Sequence, residues 1–159
     1  YGDTDCIYAT GEDYITPAAD VIKSRGITDC KIYGSNISPS VCQLIMDGQV
    51  EACTGGEFVC GSLAVTLLIN YLDGNPIKDA DGTAPYFDNL TQFMVTAENA
   101  EDFYEFLSDE NLATHTISDE EYQNLLVRNN PDVDYDYFYD FLTNYEENVY
   151  AKVEANAAQ

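Results

Sequence analysis

The sequence predicts an α/β fold built on a parallel sheet, with additional helices toward its C-terminal end. Three observations carry that expectation. Over the first 75 residues short β-rich runs alternate with helical segments, the pattern that sets parallel strands side by side with crossover helices between them. The same grammar recurs there: a strand-like run stops at glycine, and a helix then opens on a Thr or Ser followed by Pro. After Pro76 the pattern gives way to a polar connector and amphipathic helices.

Taken in order, "CIYAT" at 6–10 is strand-like and stops at Gly11. "TPAADVIKSRG" then predicts a helix with Thr16 as N-cap, Pro17 in its first turn, Ala18, Val21 and Ile22 on its apolar face and Gly26 at its end. "CKIY" at 30–33 is the second strand and runs to Gly34; Ser38 and Pro39 open a helix that buries Val41, Cys42, Leu44 and Ile45 and ends at Gly48. "VEACT" at 50–54 is the third strand, and "GGEF" leads into an apolar helix over 58–72 closed by "DGNP". The polar stretch 78–89 is followed by a strand-like run at 90–96, a helix with Ala100, Phe103, Phe106 and Leu107 in line, and a capping box at Ser118 and Glu121. A last helix over 136–154 aligns Phe138, Phe141, Leu142, Tyr145, Val149 and Val153 on one face with acids opposite. The expected division is therefore 1–77 as the α/β lobe, 78–97 as connector and crossover strand, and 98–159 as a helical extension.

At 159 residues and 45% hydrophobic, the chain can bury a core, since a domain of this size removes roughly 70% of its unfolded surface from water. Acidic residues outnumber basic ones 29 to 6, for a formal net charge of −23. Such a surface repels phosphate backbones and anionic membranes, so nucleic acid is not an expected partner. The apolar run 58–72 falls short of the ~20 residues that cross a bilayer. The chain has no initiating Met and begins just before an apolar run, which gives the expectation that it is a piece of a longer polypeptide.

All five cysteines lie within the first 60 residues, without a CxxC, and the single histidine, His115, is distant, so no zinc site is expected. Cys6 and Cys30 precede neighbouring strands closely enough that a disulfide is one expectation and free thiols the other. No GxSxG, Walker loop or GxGxxG follows a strand, and His115 has no Ser or Cys motif directed at it. "PDVDYDYFYD" at 131–140 resembles a calcium loop in its alternating acids, but Tyr137 stands where the loop needs glycine and Thr143 where it needs a bidentate acid. Tyr135, Tyr137, Tyr139 and Tyr145 are expected to pack at helical spacing, with stacking on sugar rings as the other possibility. Asn36 and Asn89 each begin a glycosylation sequon. No catalytic residue, metal or cofactor is expected.

Three strand-to-helix loops, at 11–15, 34–38 and 55–57, are expected together at the carboxyl edge of the sheet, where open α/β sheets bind ligands. The stretches "IYATGEDYITPAADVIKSRGITD", "IYGSNISPSVCQLIMDGQVEACT", "GSLAVTLLINYLDGNPI" and "FMVTAENAEDF" carry the same order of elements. Over about 100 of its residues, these stretches among them, the chain resembles the C-terminal portion of type I periplasmic sugar-binding proteins of ABC transporters, the ribose-binding-like group.

That resemblance implies a three-layer parallel-sheet lobe of a two-lobed binding protein, which closes on a solute and presents it to the membrane permease of an ABC transporter. It implies an extracytoplasmic place, periplasmic or as a cell-surface lipoprotein, with the first lobe supplied by the rest of the chain or by another chain. Where the family tends to place an Asn-Asp pair after the first of these strands, this chain has Gly11 and Glu12; where it places Asp in the second loop, Ser35 and Asn36; where it places Gln after the third strand, Gly55 or Gly56 before Glu57. The donor and acceptor set therefore differs, which points to a larger or different carbohydrate-like solute. The ligand-binding residues implied are Gly11, Glu12, Asp13, Tyr14, Ser35, Asn36, Gly56 and Glu57. The other expectation, on the same fold, is the ligand-sensing domain of a receptor or of a transcription regulator. The apolar helix over 58–72 is expected to be partly uncovered and to favour association.

Overall fold

The computed structural model describes residues 4–57, 59–88, 90–108 and 116–158. His115, Phe58 and the sequon residue Asn89 lie outside them. The described elements run β1 (Cys6–Ala9), α1 (Glu12–Arg25), β2 (Lys31–Ser35), α2 (Pro39–Met46), β3 (Ala52–Gly55), α3 (Val59–Leu72), β4 (Phe93–Thr96), α4 (Ala100–Ser108), α5 (Asp119–Asn124), α6 (Tyr135–Thr143) and α7 (Tyr145–Ala157). None of their helices is long and apolar enough to cross a membrane.

The sheet has the order β1-β2-β3-β4, parallel across the first three strands and antiparallel at the last pair. Two parallel crossovers in one direction carry α1 and α2 over the same face. The register Tyr8↔Tyr33 and Tyr33↔Ala52, with Ala9↔Gly34 and Gly34↔Cys53, sorts alternate residues onto opposite faces. The covered face holds Ala9, Ile32, Cys53, Phe93 and Val95, all buried, with Phe103 of α4 stacked on Phe93 at 5.2 Å.

The glycines next to the end of β2 and at the end of β3 have a packing reason. A β-carbon at Gly34 would lie 2.4 Å from Ile15 Cδ1, and one at Gly55 2.4 Å from Phe93 Cζ and 2.6 Å from Ile37 Cγ2. The strands thus end where side chains from other elements fill the missing-methyl space.

Several elements differ from the sequence expectation. Helix α1 begins at Glu12 rather than after Thr16, with Gly11 as its N-cap and Pro17 inside it. The Gly11 carbonyl accepts from Tyr14 N and Ile15 N at 3.0 and 3.1 Å, and Glu12 and Asp13 in the first turn complement the helix dipole. The early start seats Ile15, which is fully buried; Pro17 is exposed, on a side where water can satisfy the carbonyl it leaves without a donor. The buried stripe is Ile15 and Ala19, with Ala18 and Ile22 half-buried and Val21 exposed.

The long helix expected over 136–154 is two helices meeting at Asn144. Thr91 causes the break: its hydroxyl donates toward the Leu142 and Thr143 carbonyls at 3.3 and 3.2 Å and accepts from Glu146 N at 3.1 Å. It thereby occupies the Leu142-to-Glu146 step of the helical ladder. Of the six side chains expected in line, Phe138, Leu142, Tyr145, Val149 and Val153 are nonetheless buried and Phe141 is half-buried.

The thiols of Cys6 and Cys30 are free. Cys6 pairs with Lys31, so Cys30, one residue earlier, points its side chain to the other face. Thr16 is no cap, but the other two expected N-caps form: Ser38 accepts from Val41 N at 3.2 Å, and Ser118 and Glu121 make a full capping box. Helix α3 leaves Val65, Leu68, Tyr71 and Leu72 exposed, in line with the expected partial uncovering, and is tied down by Asn70. The Asn70 amide donates to the Leu125 carbonyl at 2.9 Å and accepts from Val127 N at 3.0 Å.

Candidate functional site

At the carboxyl edge of β1, β2 and β3 the three loops meet through a short series of hydrogen bonds. The first loop is the opening turn of α1, where Gly11 and Glu12 are half-buried and Asp13 and Tyr14 are exposed. Glu12 Oε1 accepts from Ser40 Oγ on α2, and Ser40 Oγ lies 3.0 Å from the cap hydroxyl of Ser38. One acidic side chain therefore joins the first loop to the N-terminus of the next helix, where partial positive charge favours it.

The second loop holds Ser35, half-buried at the end of β2, and Asn36, exposed at φ 73°. Asn36 is the one non-glycine described residue with positive φ, a left-handed conformation that Asn tolerates better than most residues and that recurs at ligand-contacting turns. Ser35 pairs with Thr54 in register, which binds the second loop to the third.

Thr54 Oγ1 donates to Glu57 Oε1 at 3.2 Å, so Glu57 is anchored by the strand that precedes it. Gly56, at φ 111°, is buried under Tyr145 of α7: a β-carbon there would lie 2.9 Å from Tyr145 Cε1. The space that glycine leaves in the third loop is filled by that ring.

Burial pushes the Cys53 thiol up to about 12, with the nearby Glu57 carboxylate and Cys42 adding to it, and burial alone raises Cys42 to about 12. Both stay protonated at neutral pH, so neither thiol behind the loops is an activated nucleophile. Glu12, Asp13 and Asn36 supply acceptors and one amide at an open edge, Glu57 adds a carboxylate with one oxygen on Thr54 and the other buried, and Tyr14, 67% exposed, adds an aromatic face. That set can hold hydroxyls and a ring face by hydrogen bonding and stacking.

Ser38, Ser40 and Thr54 are structural members of the edge that the sequence did not single out; the only local signal for the serines was their place in "SPS", at and just after a helix cap. Tyr145, which reaches the third loop, was legible only as a packing or ring-stacking tyrosine, and nothing local tied it to Gly56 because the two are distant in sequence. A hollow of about 490 Å³ lies at the opposite, amino edge, lined among others by Ile22, Ile27, Lys31, Gly48 and Gln49.

A mostly parallel α/β lobe with its polar loops gathered at the carboxyl edge is the class that this geometry defines: the fold of type I periplasmic binding proteins. No family model and no curated protein sequence matches the chain. Among solved structures, it is similar to the periplasmic binding protein component of the arabinose ABC transporter from Shewanella sp. ANA-3, at 23% identity and a TM-score of 0.52, over 69% of this chain and 35% of that one. It is similar to a galactofuranose-binding protein at 17% identity and TM-score 0.52, covering 67% of this chain and 34% of that one. A periplasmic sugar-binding protein from Pseudomonas fluorescens matches 86% of this chain and 40% of its own length, at 19% identity and TM-score 0.58. The chain therefore spans between a third and two fifths of the proteins it resembles, and all three are binding proteins.

Proposed function

We propose that this chain is most of one lobe of an extracytoplasmic solute-binding protein that serves a bacterial ABC importer, and that it grips a sugar or sugar-like ligand between two lobes. The observation that carries the proposal is the bonded edge itself, in which Glu12, Ser40 and Ser38 join the first two loops and Ser35, Thr54 and Glu57 join the second to the third. Glu12, Asp13, Asn36 and Glu57 are its hydrogen-bonding side chains, with Tyr14 against a ring face. Gly11, Ser35 and Gly56 shape the edge and supply backbone.

The rest of the binding protein comes from the remainder of the polypeptide or from another chain. In support, no described strand pairs with β1 on its outer side, and a hollow of about 560 Å³ runs along that edge between Ile7, Pro17, Ala18, Val21, Ile22 and Ile27. At the other end of the sheet, the Tyr150 hydroxyl accepts from Met94 N at 2.9 Å and donates to its carbonyl at 3.0 Å, closing that edge. The β1 edge, which no described strand pairs, thus supports a continuation of the sheet on that side. A permease partner follows from the same proposal.

Calorimetric titration against L-arabinose, D-galactose, D-ribose and a nucleoside panel, on the chain and on the polypeptide that carries it, tests this. Heat of binding is expected with at least one sugar, weakened tenfold or more by Asn36→Ala or Glu12→Gln. Silence with every member overturns the sugar assignment.

A further inference from the structure

Four buried side-chain polar atoms have no hydrogen-bond partner among the described residues, and three of them converge on the third loop. They are Glu57 Oε2, the Thr116 hydroxyl and the Tyr145 hydroxyl, whereas the fourth, Gln49 Oε1, is at the far edge. Tyr145 is 1% exposed and Thr116 3%. Leaving a buried polar atom without a partner costs about 1–3 kcal/mol, so native proteins rarely leave several together.

The Tyr145 ring lies over Gly56, with its hydroxyl 3.6 Å from where a Gly56 β-carbon would stand, and Glu57 is the next residue. Burial above all raises Tyr145 to about 12; the Thr116 hydroxyl, at the margin of hydrogen-bonding reach, works the other way, the Glu57 carboxylate adds to the rise, and no hydrogen bond of ordinary geometry joins the three. Tyr145 is thus a neutral donor at physiological pH.

The niche is also held in place. Lys152 Nζ, two turns further along α7 on the same side, donates to the Thr116 carbonyl at 3.1 Å and to Glu121 Oε2 at 2.6 Å. Glu121 is in turn bonded by Ser118 N and Ser118 Oγ at 2.6 and 2.8 Å. Glu57 keeps its other oxygen on Thr54. Three separate segments therefore hold the Tyr145 hydroxyl by the third loop, with the Thr116 hydroxyl and the Glu57 carboxylate near enough to bear on it.

We propose that Glu57, Thr116 and Tyr145 form an enclosed niche for a single neutral O–H group, which donates to the Glu57 carboxylate and exchanges hydrogen bonds with the two hydroxyls. A buried water typically needs two to four polar partners, and this niche offers three. The group is either an ordered water or a hydroxyl of the ligand projecting past Glu57; only the second source rests on the sugar-binding proposal. In both cases the helical segment after residue 98 takes part in building the third loop of the site.

A high-resolution crystal structure of the chain, alone and with L-arabinose as the probe, tests the niche directly. An oxygen peak within hydrogen-bonding distance of Tyr145 Oη, Thr116 Oγ1 and Glu57 Oε2 is expected. A peak in the sugar-free crystal identifies water, and density continuous with arabinose identifies a ligand hydroxyl. Tyr145→Phe, which keeps the ring on Gly56, is expected to abolish the peak and to lower the thermal midpoint by roughly 2–4 °C; Thr116→Ser is expected to retain both. An empty niche in both crystals overturns the proposal, as does a Tyr145→Phe midpoint equal to or above that of the parent chain. If arabinose and the other sugars give no heat while the water peak persists, the sugar assignment fails and the niche stands.

Discussion

The two faces of one sheet share their strands and hydrogen bonds and differ in almost everything else. On one face Ala9, Ile32, Cys53, Phe93 and Val95 are buried beneath α1, α2 and α4. On the other, Tyr8 is 60% exposed, Tyr33 39% and Met94 46%. The difference teaches that stability and association are encoded on alternate residues of the same strands, because a strand turns successive side chains to opposite sides. Substitutions at neighbouring positions should therefore have very different effects.

The largest effect is expected on the covered face. Phe93 is fully buried, stacks on Phe103 at 5.2 Å and fills the space above Gly55. Phe93→Ala should cost about 3–5 kcal/mol in denaturant unfolding, the loss of burial plus a cavity. Gly55→Ala tests the same contact from the other side: its new methyl would meet the Phe93 ring at 2.4 Å, and overpacking of this kind costs about 1–3 kcal/mol. If Gly55→Ala is neutral, the glycine is there for another reason than packing.

Next comes Asn70, completely buried on α3, which bonds both the Leu125 carbonyl and Val127 N. Asn70→Ala leaves two backbone groups without partners and should destabilise by about 1–3 kcal/mol. Hydrogen exchange at Val127 is the sharper measurement, since its protection should fall even if the global change is small.

How much of this was legible in the sequence depended on range. Caps and stops were readable because their partners are three or four residues away: Ser38 with Val41, Ser118 with Glu121. The start of α1 was misplaced because Thr16 and Pro17 spell a helix opening locally, while the buried seat of Ile15 against Gly34 overrides it from another strand. The division between α6 and α7 depends on Thr91, some fifty residues away, and no local pattern records that insertion. The loops of the candidate edge were legible from their glycines and polar residues. The links between them were not, since Glu12 meets Ser40 and Glu57 lies beside Tyr145 only once the helices have packed.

A smaller effect concerns pH. Burial works to raise the Glu121 carboxyl, but its bonds to Lys152 and to Ser118 N and Oγ outweigh burial and hold it below its ordinary value of 4.5. A carboxylate whose folded pKa is depressed contributes stability above the unfolded value and loses it as pH falls through the folded one. Stability should therefore decline as pH drops from 4.5 toward that lower value, and Glu121→Gln should flatten this part of the profile in thermal unfolding. A slope unchanged by the substitution would show that other carboxylates carry it.

The smallest change in stability is expected on the open face, where it is accompanied by the clearest change in behaviour. Tyr8→Ser and Leu68→Ser remove exposed apolar surface and should alter unfolding free energy by no more than about 0.5 kcal/mol. The same side chains, with Val65, Tyr71 and Leu72 on α3, leave apolar area in water that association would bury. The net charge of −23 opposes that association through repulsion between copies, and repulsion weakens as the screening length shortens from about 30 Å at 0.01 M salt to about 8 Å at 0.15 M. Raising salt should consequently shift the size-exclusion elution of the parent chain toward larger species, more so at high concentration, while the double substitution should elute as a monomer at every salt. A parent chain that is monomeric throughout would mean that the exposed tyrosines and leucines remain wet even when repulsion is screened, and that the two faces differ in burial without differing in adhesion.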